Sequence, residues 1–314
     1  MLVNLIPEFL SVLAAADPAA AYHDYLDRHR AVLTGYWRNY VLDPDSPHAE
    51  PIMAAALRAD RADLTRLLED VDIIALAEEA LRRALELLEA DCAVDLYVMV
   101  GVGAANAGEL VVGGRGIAFV CLEHFTGRAN PQTYGMGLAP AVLAPWIAHE
   151  VAHAIRYTSP TSRAALRRVV ADLGGYYDCW EIGSRATLRE LVVNEGAAIA
   201  AARAVAPGFE PWEYLGYTRR QYRRLRELDA FLRRAAAGDL DASGLGLRLR
   251  YLSGGISPAA RLVAGRVLPE RSGYYLGLRL VEHYLAEHGA ASTVRAAVEE
   301  LRLADERASG IQTA

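Results

Sequence analysis

His149-Glu150-Val151-Ala152-His153 is the segment that most constrains this chain. On an α-helix, positions i and i+4 lie one above the other on the same face. Val142, Trp146, His149 and His153 fall at i, i+4, i+7 and i+11, so both imidazoles belong to the face that should be buried. Pro145 falls in the first turn, where a missing N–H is tolerated. Two imidazoles aimed at a core with no shared ligand are costly. The opposing reading has two core histidines satisfied by carbonyls, with Glu150 paired to Arg156. The pattern H-E-x-x-H favours the other: both histidines reach one zinc ion, and Glu150, about 100° further round, faces a water on it as general base. Zinc brings that water toward neutrality, and the carboxylate takes its proton.

A hydrolytic zinc site needs a third protein ligand and an open fourth position. Asp172, Asp178, Glu181, Glu190 and Glu195 are the downstream candidates. Glu195 is selected by placement, because the stripe Leu188, Leu191/Val192, Glu195, Ile199 is apolar except there. A carboxylate on a buried face requires a partner, a metal or else a buried arginine. Gly196 and the alanines after it would let this helix pack close to the H-E-x-x-H helix, whereas Glu190, beside Arg189, reads as a solvated charge. Asp172 or Asp178 is a candidate to orient a histidine N–H.

The rest of the chain reads as α+β, mostly helical. A small sheet packs beside the motif helix, flanked by an N-terminal helical region and a C-terminal helical lobe. Residues 1–90 look wholly helical, with a Pro/Asp/Ser-rich break at Asp43 to Pro51 and one helix over Met53 to Leu68. Val94 to Val100, Glu109 to Val112 and Gly116 to Leu122 are rich in β-formers and predict three short strands. The glycines between them read as turns, not as a phosphate loop. Helices are expected over 141–157, 162–173, 185–205, 217–237, 257–267, 272–289 and 291–305. The expected organisation is a region 1–90, a metallohydrolase domain 91–305 (sheet and motif helix 91–160, ligand helix and lobe 161–305) and a tail 306–314.

A net charge of −6 gives no electrostatic reason to expect nucleic acid or an anionic membrane. Cys92, Cys121 and Cys179 are far apart and form no C-x-x-C pair, which suits a reducing cytoplasm. Leu2 to Ala16 is largely apolar, but it lacks a basic leader and is interrupted by Pro7 and Glu8. It reads as the first helix of a soluble protein, and no stretch reaches the ~18 apolar residues of a membrane span.

With His149, Glu150, His153 and Glu195 in view, the chain resembles the gluzincin metallopeptidases. It looks closer still to a bacterial family of predicted zinc-dependent proteases. The likeness runs over roughly residues 92–290, in order: a strand pair, Ala148-His149-Glu150-Val151-Ala152-His153-Ala154, Glu195-Gly196-Ala197-Ala198, then Gly273-Tyr274-Tyr275-Leu276-Gly277. The resemblance implies that Tyr274, or alternatively Tyr275, donates to the oxyanion. It also implies an edge strand pairing with the substrate backbone, by position Gly116, Ile117, Ala118 and Phe119 onward. Two features depart from the pattern. The gap from His153 to Glu195 is long, and there is no G-x-M-E-N exopeptidase motif.

The leading expectation is a Zn2+-dependent hydrolase, a peptidase, acting on a peptide or small amide. The alternatives are a small-molecule biosynthetic or amide-processing metalloenzyme on the same scaffold, and a non-catalytic helical binding module with a vestigial site.

Overall fold

The computed structural model describes residues 1–301. It opens on a strand, β1 (Leu2–Asn4), inside the run expected to begin as a helix; α1 (Ile6–Leu13) starts only after it. Helices α2 (Pro18–Arg28), α3 (Arg30–Tyr40), α4 (Ala49–Arg58), α5 (Ala62–Asp70) and α6 (Ile73–Leu87) follow. Asp17 and Asp72 cap α2 and α6 through side-chain bonds to the Ala20 and Ala75 N–H groups. The helix expected over Met53 to Leu68 is broken at Ala59–Arg61, where the chain turns extended.

The three expected strands form as β2 (Val94–Met99), β3 (Ala107–Val112) and β4 (Arg115–Cys121). The sheet order is β1-β2-β4-β3, with β3 antiparallel to β4 and the other pairs parallel. After a small hairpin of β5 (Ala129–Asn130) and β6 (Gly135–Met136) comes α7 (Leu143–Thr158), which carries His149 and His153 across the sheet. All of α7 from Pro145 to Tyr157 is buried, so its core face extends right round the helix. Gly116 lets α7 approach β4: a Cβ there would stand 3.0 Å from Ala154 Cβ and 3.3 Å from Thr158 Oγ1.

The C-terminal part adds α8 (Ala165–Asp172), α9 (Cys179–Arg185), α10 (Leu188–Val205), α11 (Arg219–Glu227), α12 (Asp229–Ala237) and α13 (Leu245–Leu252). The helix expected over 257–267 is instead a hairpin of β7 (Leu262–Val263) and β8 (Arg266–Val267). Its turn residues Ala264 and Gly265 take φ of 48° and 76°, which no α-helix accommodates. The last helix, α14 (Ser272–Arg295), is interrupted at Gly289, and the expected tail 306–314 lies outside the described residues.

The larger of two buried apolar clusters draws residues from Leu5 to Leu301, and a smaller one gathers Val111, Tyr157, Leu166, Val170, Ile182 and Leu191. The N-terminal region supplies β1 to the sheet and packs α6 against α7. No described helix is long and apolar enough to cross a membrane.

Candidate metal centre

His149 and His153 project from α7 toward α10, and their Nε2 atoms stand 3.1 Å apart. Glu195 Oε2 lies 3.3 Å from His149 Nε2 and 3.6 Å from His153 Nε2. A tetrahedral zinc ion with ligand bonds of about 2.0–2.1 Å separates its donor atoms by roughly 3.3 Å. The three distances bracket that value. Glu195 Oε2 is buried and accepts no hydrogen bond, and neither histidine Nδ1 has a partner among the described residues. The residues fit a metal ion, and the three side chains selected from sequence come together as one cluster.

Electrostatics point the same way. Burial opposes protonation of His153, yet the carboxylates of Glu109, Glu195 and Glu150 push its pKa up to about 10. Burial also raises the Glu195 carboxyl, but the two histidines hold it below the ordinary carboxylate range. Burial depresses His149. Without a metal, then, a proton on His153 supplies the positive charge that the cluster requires.

Glu150 faces the second side of His153 and has a neighbour that the sequence reading missed. Glu109, on β3, joins Glu150 and His153 in a buried group whose ligand atoms all lie within 4.8 Å of one another. Burial, then the Glu109 charge, raise the Glu150 carboxyl well above its ordinary value. Glu109 Oε1 accepts from Tyr157 Oη at 3.1 Å, and Tyr157 Oη accepts from Asn194 Nδ2 at 2.8 Å. Tyr40 Oη lies 3.1 Å from Glu109 Oε2. None of the three carboxyl groups is ion-paired to an arginine among the described residues. A buried trio of this kind is stable only with protons or a cation among them. The sequence signal for Glu109 was a single charge inside the apolar run Ala107 to Val112.

The remaining expectations divide. Tyr274 is partly buried, and the charges of Glu195 and Glu150 both act on its phenol. Tyr275 turns away, with the Asp229 charge acting on its phenol and its ring packed edge-on against Tyr222 at 6.2 Å. Tyr274 is thus the tyrosine on the metal side.

Gly116, Ile117, Ala118 and Phe119 are not on an edge strand, because β4 is paired on both sides and Ile117 to Phe119 are core residues. The edges are β1 and β3, and β3, the edge that carries Glu109, is covered. Tyr40 Oη accepts from the Glu109 N–H at 3.1 Å and lies 3.0 Å from the Glu109 carbonyl, while the Tyr177 N–H donates to the Val111 carbonyl at 2.9 Å.

Glu190 is buried, not solvated: its Oε2 meets Arg156 Nη2 at 3.2 Å, and its Oε1 accepts from the Ala165 N–H. Arg156 therefore serves Glu190 and leaves Glu150 free of it. Asp172 pairs with Arg185, and Asp178 caps α9, so neither orients a histidine. Gly196 does bring α10 close to a partner, but the partner is α14. A Cβ on Gly196 would overlap the Gly277 backbone, and one on Gly277 would overlap the Val192 carbonyl.

Residues 179–301 match the family model described as Predicted Zn-dependent protease (DUF2268). That span contains Glu195 and Tyr274 and begins after the helix of His149 and His153. No curated protein and no solved structure matches the chain.

Proposed function

We propose that the chain is a zinc-dependent hydrolase of peptide or small amide bonds. His149, His153 and Glu195 hold the metal, Glu150 is the general base and Tyr274 stabilises the oxyanion. The observation that carries this reading is the convergence of three donor atoms at 3.1, 3.3 and 3.6 Å, a spacing suited to tetrahedral zinc. The family description of residues 179–301 supports it independently.

Zinc in such a site supplies Lewis acidity toward water and toward a carbonyl oxygen. The chain's own residues do the rest. Glu150 takes the proton of the attacking water and returns it to the leaving nitrogen. The Tyr274 hydroxyl donates to the oxygen that gains charge in the tetrahedral intermediate. Burial of His149, His153 and Glu150 excludes bulk water around the base.

Substrate reaches this centre from the side of Glu195, Tyr274 and Arg271, which keep partial exposure while the rest is buried. The covered β3 edge leaves no place on the Glu109 side of the sheet for a long peptide to add as a strand. This favours short peptides or small amides, and keeps a small-molecule amidase as the second reading.

Glu150→Gln tests the assignment. The variant should retain zinc and lose about 10²-fold to 10⁴-fold in kcat on a hydrolysable amide. Full turnover in that variant would remove Glu150 from the role of base.

A further inference from the structure

Arg271 immediately precedes α14. Its Cζ lies 4.2 Å from the centroid of the Tyr274 ring and 5.8 Å from that of Tyr217, and the Glu195 carboxylate acts on its guanidinium. A Cβ placed on Gly216 would stand 3.2 Å from Arg271 Nη1 and 3.0 Å from Trp146 Cζ2. The Trp146 ring is in turn 5.7 Å from that of His149. The cation thus sits one side chain away from a metal ligand, on the side of the centre that keeps partial exposure.

No carboxylate among the described residues balances it. Among the described residues Arg271 is ion-paired to no carboxylate, and the nearest negative influence is Glu195 itself. Its backbone is left-handed, with φ 55° and ψ 22°, a conformation unfavourable for a residue with a side chain. The Tyr217 hydroxyl fixes it there by donating to the Arg271 carbonyl at 2.6 Å. The residue also stands at the positive end of a long helix, where a cation is disfavoured. A strained, half-buried and uncompensated guanidinium is poorly explained by stability and well explained by an anionic ligand.

We propose that Arg271 receives a carboxylate of the substrate, so that the site acts on short substrates carrying a carboxylate near the scissile amide. This rests on the metallohydrolase reading above. The carboxylate is either a peptide C-terminus or an acidic side chain, and the two are separable.

The zinc-loaded Glu150→Gln protein is titrated calorimetrically with N-acetyl-Phe-Phe and its C-terminal amide, then with N-acetyl-Phe-Glu-amide and N-acetyl-Phe-Gln-amide. In one pair the charged ligand should bind tighter by about tenfold or more, and that pair identifies the source. Arg271→Gln in the same background should bring the pair within about twofold, and Arg271→Lys should restore part of the preference. Equal binding within both pairs, absence of binding by all four ligands, or a preference untouched by Arg271→Gln overturns the proposal. A uniform loss of kcat on charged and neutral substrates alike in Arg271→Gln would instead make it a positioning residue for Tyr274, which also contradicts the proposal. Repeating the titration on metal-free protein separates the two readings. A chain that never holds zinc but keeps an Arg271-dependent preference contradicts the metallohydrolase alone.

Discussion

The carboxylates between α7, α10 and β3 are stabilised in two different ways. Glu190 meets the guanidinium of Arg156, itself 1% exposed, and the Arg156 Nη1 donates to the Val294 and Ala296 carbonyls. Glu109, Glu150 and Glu195 have no arginine partner among the described residues and cluster around two histidines. Removing one member of a buried ion pair leaves the other charge uncompensated, at a cost of about 3–5 kcal/mol. Glu190→Ala should lower stability by that amount in urea denaturation, and a combined Arg156→Met/Glu190→Leu replacement should recover most of it. If Glu190→Ala costs under about 1 kcal/mol, the pair is not holding α7, α8 and α10 together as described. The same contrast explains what could be read in advance. Glu195 was legible because a charge on a buried helical stripe has few outlets, and its neighbours define the stripe. Glu190 sits next to Arg189 in sequence, which suggests solvation; its true partner is 34 positions away. Glu109 was equally conspicuous inside an apolar strand, but a strand alternates faces, and nothing local says that both faces of β3 are covered.

At the level of elements, the crossing of α10 over α14 sets the geometry of the centre. Glycine inside a helix costs about 0.5–1 kcal/mol relative to alanine, so Gly196 and Gly277 are unfavourable unless space demands them. Space does demand them, since a Cβ on either would overlap backbone of the other helix. Gly196 follows Glu195 directly, and Gly277 lies one turn beyond Tyr274. The contact therefore holds the helix of Tyr274 beside the helix of Glu195. Gly277→Ala should destabilise the protein by about 1–3 kcal/mol or more, because overpacking outweighs the gain in helix propensity. Thermal or urea unfolding checks this, and an unchanged or raised midpoint would mean that the helices are further apart. The sequence showed both glycines but assigned Gly196 to the wrong neighbour, since Gly-Ala-Ala specifies close approach and not to what. Strand order failed for a similar reason. Three strands were visible, yet the edge is set by β1 joining the far side of β2 and by β3 folding back antiparallel, both long-range pairings.

Taken whole, the molecule places a central helix, α7, between a four-stranded sheet and the α10–α14 pair, with N-terminal helices closing the sheet edge. Tyr40 of α3 touches both the backbone and the carboxyl of Glu109, so the N-terminal helical region reaches to within one side chain of Glu150. The central claim is that His149, His153 and Glu195 bind one divalent ion. Elemental analysis of the purified protein tests it most directly. About one zinc per chain is expected in the wild type and in Glu150→Gln, with loss of the metal in His153→Ala. A wild-type protein that takes up no zinc when supplied with it, or a His153→Ala variant that keeps the full complement, would contradict the account.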